Sequence, residues 1–533
     1  MAEAVTGAPA APARPAPSAA VVAATTAVRP RLFTPSPAPL SRVALHLGCR
    51  LLAECQNTRR RQDTGTGRVG DSVRAVGSIL RRLTRRHGTL AELLTGRGNG
   101  IGLIRLVLAL AVVTSHARPL GFGASDLGHH LFNRQTNVGT MAVYGFFVLS
   151  GLLITRSARR TGLGRYLWHR GLRIFPALWV CLLVTALLVA PLVALRENGT
   201  VAGFFDEPWE PGGPLAYAQA NWWTGVRQYG IEGLLAETTP WGRRTGDSIF
   251  NGALWSLKYE MLCYLAVFVL AATAVLRQAR RFVLALAVAL YLAIAANWWS
   301  TGRWTGPAKT VSGSVELPLL GNVGYHWLLY LGFLFALGAS FDLYRERVPV
   351  NDLLGLGSAA LLAGSLLVGG FAVLGLPAFA YLLIWMSVRM PRRLHAVGRR
   401  NDYSYGIYIY GFVGQQVMAS LGWSRWGFVP FVLLSVAVAG AAAVLSWKLV
   451  EQPALRLKDW TPSPVVRLSR RWARPRPPAG VAPRPAVAVP AVVPAPAVAS
   501  VGGSPGSAGS GAGRAGEPGP PVDAPTGRFG VPR

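Results

Sequence analysis

The sequence predicts an all-α, polytopic membrane protein with about ten transmembrane helices and a disordered extension at each end. Hydrophobic residues make up 51% of the 533 residues and charged residues only 14%. The apolar residues come in long runs, and about 20 apolar residues form a helix that crosses the hydrocarbon core of a bilayer. Lys and Arg, which give a net charge of +31, are concentrated in alternate connections between these runs. That alternation is typical of a multi-pass protein with its cations on the cytoplasmic side.

Ten apolar runs are interpreted as transmembrane helices. They cover residues 101–118, 138–156, 174–195, 250–276, 281–299, 322–341, 353–370, 371–389, 403–421 and 427–449. The seventh and eighth runs are separated only by Gly369-Gly370. These two glycines are the only break on which the division into two spans rests.

The arginine positions test this count. The connections after the second, fourth, sixth and eighth runs contain Arg156, Arg159, Arg160, Arg165, Arg170, Arg173, Arg277, Arg280, Arg281, Arg345, Arg347, Arg389, Arg392, Arg393, Arg399 and Arg400. The alternate connections are poorer in cations, and the longest of them, residues 196–249, is acidic. An even number of spans with both termini in the cytoplasm satisfies the positive-inside rule, so we expect a multi-pass protein of the cell (plasma) membrane.

The regions outside the apolar runs have a different composition. Residues 1–98 are expected to form a basic, largely disordered cytoplasmic extension, in which the arginines attract anionic membrane lipids. Nucleic-acid binding is not favoured, because no aromatic interleaving or binding motif accompanies the basic runs. Residues 99–460 form the predicted membrane domain, and residues 461–533 a disordered cytoplasmic tail rich in Pro, Ala and Gly. We find no metal-binding spacing and expect no tightly bound cofactor.

An ionisable pair lies inside the first apolar run. Arg105 and His116 are separated by ten residues, which places them ~16 Å apart along a helix. Eleven steps of ~100° bring both side chains to the same helical face. Ionisable groups are costly in a membrane segment, so the pair indicates function. The alternative is an interfacial Arg and a His at the helix end.

Five further motifs follow the pair in a fixed order. They are FFVLSGLLI at 146–154, RGLRIFP at 170–176, LWSLKYEMLCY at 254–264, YSYGIY at 403–408 and LVEQP at 449–453. Together with the Arg–ten residues–His pattern, they resemble the acyltransferase 3 family of integral-membrane O-acyltransferases. Many members of that family have an Asp three residues before the Arg, where this chain has Gly102.

Acyl transfer from a thioester to a hydroxyl needs a base for the hydroxyl proton and a positive group near the developing oxyanion. His116 is the candidate base, because imidazole titrates near neutral pH. We expect Glu260 at a similar depth, where it can orient His116 and stabilise its charged form. The alternative for Glu260 is a structural carboxylate paired with an Arg. With Arg105, these residues are the candidate catalytic set.

The resemblance implies an acyl-coenzyme A donor from the cytosol, with Arg105, Arg170 and Arg173 holding its phosphates. For the last two, the alternative is a purely topological role. Ser150, Trp255, Tyr264 and Tyr405 complete the candidate substrate-binding residues. Close helix packing is the alternative for Ser150, and an interfacial aromatic belt is the alternative for Trp255 and Tyr264.

The expected function is transfer of an acyl group, most simply acetyl, to a hydroxyl of a carbohydrate or lipid-linked glycan. The alternative is a polytopic transporter or flippase for a glycan or lipid, which buried charges also suit. Against it, the sequence has no internal repeat of the span pattern and no matched pair of broken helices.

Overall fold

The computed structural model describes residues 88–96, 98–306 and 310–460. They belong to the first of two units, residues 1–473, and the second unit, residues 474–533, lies outside the described residues. The predictions for the C-terminal tail and for nearly all of the N-terminal extension also lie outside them.

The described residues are mostly helical, with 69% helix and 3% strand. We number the long helices of the described residues α1 to α10. They are Ile101–Phe122, Val138–Arg160, Leu163–Val184, Leu257–Ala272, Arg280–Trp299, Tyr325–Leu343, Asp352–Val368, Leu376–Arg389, Ser404–Ser420 and Phe428–Ser446. Shorter helices are Leu90–Leu93, Ala190–Asn198, Pro214–Asn221, Pro240–Thr245, Val275–Gln278 and Gln452–Arg456, with 3₁₀ turns at Gly252–Ser256, Arg392–Ala396 and Trp423–Trp426.

Eight helical segments of the described chain are long and apolar enough to cross a membrane. The other two long helices, α7 and α9, have 17 residues each. The all-α membrane fold is therefore confirmed, whereas the count of about ten spans is not.

Three π-helical turns directly adjoin long helices, and a proline lies two residues after the end of each turn. The turns are Thr185–Val189, Phe371–Gly375 and Trp447–Glu451, and the prolines are Pro191, Pro377 and Pro453. Proline has no N–H and clashes with the carbonyl one turn earlier, so the preceding turn widens. The widened turns let the helices continue through the prolines, and the third turn contains Glu451, whose side chain is buried.

Helices α2 and α6 pack with their backbones in close contact. A Cβ atom on Gly151 would lie 2.1 Å from the carbonyl oxygen of Phe335, and one on Gly338 would lie 2.1 Å from that of Val148. Small residues permit such close packing between membrane helices. Gly151 therefore lies in a helix contact, whereas the substrate-binding role of Ser150 stays a prediction.

Replacing Gly151 by Ala is expected to reduce strongly the yield of folded protein, because even a methyl group would overlap the α6 backbone. Overpacking of this kind costs at least ~1–3 kcal/mol. Gly440→Ala in α10 is the matched control, since a Cβ atom there would meet nothing within 4 Å. The yield and thermal unfolding of detergent-solubilised protein measure the effect. Equal behaviour of the two variants would contradict the close contact.

The arginine-rich connections meet at one end of the helical bundle, which we call the arginine end. Arg159 binds Asp342 at the end of α6, and Arg277 donates to the carbonyl of Arg159. A two-stranded antiparallel sheet of β1, Gly88–Thr89, and β4, Pro349–Val350, lies at this end too. The opposite end, the histidine end, has the second antiparallel sheet, β2, Ser314–Leu317, and β3, Gly321–Gly324.

Candidate active site

Helix α1 connects the two ends of the bundle and contains both residues of the first motif. Arg105 is in its second turn at the arginine end, and His116 is near its last turns at the histidine end. Each of the two side chains is about one quarter exposed, at 26%. Both groups therefore remain accessible to a ligand while being largely surrounded by protein.

The imidazole of His116 faces a carboxylate from the loop after α1. Its Nδ1 lies 3.7 Å from Oδ1 of Asp126, an ion-pair distance longer than a hydrogen bond. The hydroxyl of Ser115 donates to the same oxygen at 3.4 Å. The ring of Phe412 packs edge-on against the imidazole, with centroids 5.5 Å apart. Asp126 can therefore stabilise a charged His116, while Nε2 is the ring nitrogen left for a substrate.

Glu260 belongs to a different group of residues. It accepts a hydrogen bond from the hydroxyl of Tyr264, and the guanidinium of Arg170 lies 5.8 Å from the centre of the Tyr264 ring. Within the described residues, no ion pair or hydrogen bond joins Glu260 to His116. The sequence placed these two residues together, whereas the structure gives His116 a different carboxylate.

Two arginines share a carboxylate at the arginine end. Nη1 of Arg105 and Nη2 of Arg173 lie 2.5 and 2.6 Å from Oδ2 of Asp402. Arg173 also binds Glu451 at 3.3 Å. Burial raises the pKa of Asp402, but the two guanidinium groups and Ser404 outweigh burial and hold that pKa well below its usual range. Asp402 is therefore ionised and fixes the two arginines together.

The position of Gly102 explains one departure from the family pattern. A Cβ atom there would lie 2.5 Å from the carbonyl oxygen of Val397 and 2.9 Å from the Cα of Gly398. An Asp side chain therefore does not fit at this position without a backbone shift. The carboxylate beside Arg105 in this chain is that of Asp402, which precedes α9.

A cavity of about 260 Å³ opens beside Arg105. It is lined by Gly96, Asn99, Ile101, Gly102, Arg105, Leu153, Arg156, His395, Val397, Gly398, Arg399 and Asp402. Three arginines and a histidine face one carboxylate there, so the cavity suits an anionic ligand. Arg170 and Arg173, which the sequence also assigned to an anion, do not line this cavity.

The remaining predicted residues lie in separate places. Tyr405 lies beneath Arg173, 5.7 Å from its guanidinium, and donates to the carbonyl of Ile174 at 2.9 Å. Trp255 packs against Trp327, with ring centres 4.6 Å apart. The structure thus unites Arg105, Arg173 and Tyr405 at the arginine end, whereas Trp255 lies away from that group.

Sequence reasoning missed two carboxylates. Asp126 follows His116 by ten residues, and Asp402 directly precedes the late tyrosine motif after a run of arginines. An acid isolated within an arginine-rich connection was the available indication for Asp402. For Asp126 the indication was its position as the first acid after the helix that contains His116.

Comparison with known proteins matches residues 99–448 to the family model Acyl_transf_3, described as an acyltransferase domain. The chain is 28% identical over 372 residues to the O-acetyl transferase of Shigella phage Sf6, covering 67% of this chain and 96% of that protein. It is 27% identical over 382 residues to nodulation protein 10 of Rhizobium leguminosarum bv. viciae, covering 68% and 95%. No solved structure matches the chain. Since the family model covers most of the described residues, the chain belongs to the acyltransferase 3 family and is an acyltransferase.

Proposed function

We propose that the protein transfers an acetyl group from acetyl-coenzyme A to a hydroxyl of a carbohydrate or lipid-linked glycan. The observation that carries this proposal is the pair of His116 and Asp126 at one end of α1, the helix that presents Arg105 to an anion-binding cavity at its other end. The phage relative, named an O-acetyl transferase, supports acetyl as the group transferred.

In the proposed reaction, Nε2 of His116 takes the proton of the acceptor hydroxyl as the oxygen attacks the thioester carbonyl. A C–O bond forms, and the carbonyl becomes a tetrahedral oxyanion. This intermediate collapses by breaking the C–S bond, and the imidazolium returns the proton to the coenzyme A thiolate. Asp126 stabilises the imidazolium between the two steps, as carboxylates do in hydrolytic triads.

The cavity at the arginine end is the proposed site for the donor phosphates. Arg105, Arg156 and Arg399 line it, and guanidinium groups bind phosphate through charge-assisted hydrogen bonds. From Arg105, an extended pantetheine arm would follow α1 for the ~16 Å to the level of His116. Arg173 is bonded to two carboxylates, so its proposed role is to position Asp402 and Arg105.

The proposal also assigns an orientation and separate roles to the other candidates. The arginine end faces the cytosol and the acceptor meets His116 from the outside, because positive connections stay inside. Both termini are then cytoplasmic, and the plasma membrane is the proposed location. Glu260, Tyr264 and Arg170 are proposed to line the route of the thioester rather than to orient His116.

Acetyl transfer by purified protein in detergent tests the function. A detergent solution has no separate compartments, so a transporter would give no signal in this assay. The protein is incubated with acetyl-coenzyme A labelled with ¹³C in the acetyl group and with envelope glycans from cells that lack it. We expect the label as an ester on the glycan by mass spectrometry. Release of coenzyme A without labelled glycan would contradict a carbohydrate acceptor, and no use of acetyl-coenzyme A would contradict the donor.

Replacing Arg399 by Ala is expected to raise KM for acetyl-coenzyme A about tenfold with little change in kcat, because a phosphate contact is equally strong in ground and transition states. Arg425→Ala is the control, since Arg425 lies in the connection between α9 and α10 at the histidine end. An unchanged KM for acetyl-coenzyme A in folded Arg399→Ala protein would show that the cavity does not bind the donor.

A further inference from the structure

A second cavity, of about 440 Å³, lies between the α3–α4 connection and the tip of the β2–β3 hairpin. We call it the tryptophan cleft. It is lined by Trp209, Pro211, Ala216, Gln219, Ala220, Trp222, Trp223, Arg227, Gln228 and Leu319. None of these residues belongs to the groups around His116 or Asp402, so the mechanism leaves the cleft without a role.

Two of its indole rings are unusually exposed. Trp209 is 62% exposed and Trp222 45%, although tryptophan is a residue that proteins bury extensively on average. The third ring, that of Trp223, packs against Phe175, with ring centres 4.6 Å apart. The cleft therefore presents flat apolar faces on a firm support.

The walls of the cleft are held by hydrogen bonds from two side chains. Asn221 accepts from the backbone N–H of Arg227 at 2.9 Å and donates to the carbonyl of Gln228 at 2.6 Å. Gln228 in turn donates to the carbonyls of Gly213 and Gly230 at 3.2 and 2.9 Å. These bonds join the stretch that follows Trp209 to the stretch that follows Trp222. A ligand would thus find both aromatic walls already in place, which lowers the entropic cost of binding.

The hairpin tip reaches the cleft in a strained conformation. Leu319 has a φ of 66°, a left-handed conformation that is unfavourable for a residue with a side chain. The tip packs closely against Gly225, where a Cβ atom would lie 2.5 Å from the carbonyl carbon of Leu320. Maintained strain of this kind is concentrated at ligand sites.

Polar groups lie beside the aromatic faces. Gln219 is exposed, and its side-chain amide makes no hydrogen bond within the described part of the chain. The guanidinium of Arg227 is half exposed and only loosely paired, 4.0 Å from Glu316. An aromatic face with an unpaired amide and a weakly paired guanidinium at its rim can bind a molecule that has a C–H face and a border of hydroxyls.

We propose that the tryptophan cleft binds a saccharide, as a subsite for sugar residues of the acceptor that do not react. The axial C–H groups of a pyranose ring would pack on Trp209 and Trp222, and its hydroxyls would bond to Gln219 and Arg227. This proposal rests on the proposed function, because it assumes a carbohydrate acceptor. A lipid chain fits less well, since it would leave the amide and guanidinium groups unpaired against hydrocarbon.

The test uses the full-length protein in a detergent without a sugar headgroup. The probe is the pool of oligosaccharides released from the envelope of cells that lack the protein, and binding is followed by saturation-transfer difference NMR. In a separate sample, the protein is placed in phosphatidylglycerol nanodiscs. We expect saturation of sugar ring protons and at least a tenfold weaker affinity in Trp222→Ala and Trp209→Ala. Trp222→Phe retains an aromatic face and should bind with intermediate affinity.

Trp426→Ala is the matched control, because Trp426 is 49% exposed in the α9–α10 connection and should leave the affinity unchanged. Sugar signals that survive Trp209→Ala and Trp222→Ala, absent sugar signals with folded protein, or saturation of lipid protons alone would each overturn the proposal. Acetyl-coenzyme A is added to a further portion of each preparation, and the release of coenzyme A is measured there. If it persists without sugar binding, the cleft proposal fails alone; if sugar binds but acetyl-coenzyme A is not used, the proposed function fails instead.

Discussion

Replacing His116 by Ala is expected to reduce acyl transfer to a low residual rate while the protein still inserts and folds. The side chain is assigned to remove a proton, and general base catalysis contributes roughly 10²–10⁴-fold to rate. The only polar contact of the imidazole in the described residues is the 3.7 Å approach to Asp126. Its loss leaves a partly exposed carboxylate rather than a buried charge, so the effect on folding should be small.

Labelled acetyl transfer by purified protein measures this effect, with yield and thermal unfolding recorded in the same preparation. His130→Ala is the control, because His130 lies at the same end but outside the pair with Asp126. Retention of most activity in folded His116→Ala protein would exclude His116 as the base. Loss of activity together with loss of folded protein would point to a structural role instead.

Replacing Arg173 by Ala should have the largest effect on stability. Arg173 is bonded to Asp402 and to Glu451, and the Glu451 side chain is only 3% exposed. Removing one partner of a buried ion pair leaves an uncompensated charge and costs ~3–5 kcal/mol. Arg173→Lys should recover only part of this free energy, because one ammonium group cannot reproduce the guanidinium contacts with both carboxylates.

Arg389→Ala provides the comparison, since Arg389 pairs with Asp352 at the surface with 42% of its side chain exposed. Exposed pairs contribute about 0–1 kcal/mol. Thermal unfolding of the three variants in detergent distinguishes the two kinds of pair. Equal unfolding temperatures for Arg173→Ala and Arg389→Ala would show that the network around Asp402 does not stabilise the bundle.

The helices could be predicted from the sequence because apolar runs are a strong and local property. The prediction of a helix from residue 138 agrees with α2, which begins at Val138. The third run was predicted from residue 174, whereas α3 begins at Leu163. The reason is that Arg and His interrupt apolar runs but not helices, since Arg is a good helix former. Hydropathy therefore located the membrane part and missed the polar turns that contain Arg170 and Arg173.

The candidate site was only partly predictable. The spacing of Arg105 and His116 depends on one regular helix, and the structure keeps both in α1. The expected partner Glu260 was placed from depth alone, and depth does not determine which neighbour a side chain faces. The fourth span begins with a 3₁₀ turn, Gly252–Ser256, ahead of α4. A 3₁₀ turn rises ~2.0 Å per residue, more than an α-helix, so Glu260 lies further toward the arginine end than an α-helix would place it.

Asp126 could not be placed by such reasoning, because it lies in a loop. The path of that loop depends on backbone contacts such as the 2.9 Å bond from the N–H of Val138 to the carbonyl of Leu127. Asp402 illustrates the same limit, since its two arginines come from α1 and α3, which are distant in sequence. Contacts between distant segments are fixed by tertiary packing and not by local pattern.

The measurement that tests the central claim most directly is a double-mutant cycle of acetyl transfer with His116→Ala, Asp126→Asn and the combined variant. If the two residues act as one catalytic unit, the combined variant should transfer no more slowly than His116→Ala alone, because Asp126 works only through the imidazole. Asp126→Asn alone should be slowed less than His116→Ala. Effects that multiply, with the double variant slowed by the product of the two single factors, would contradict the account.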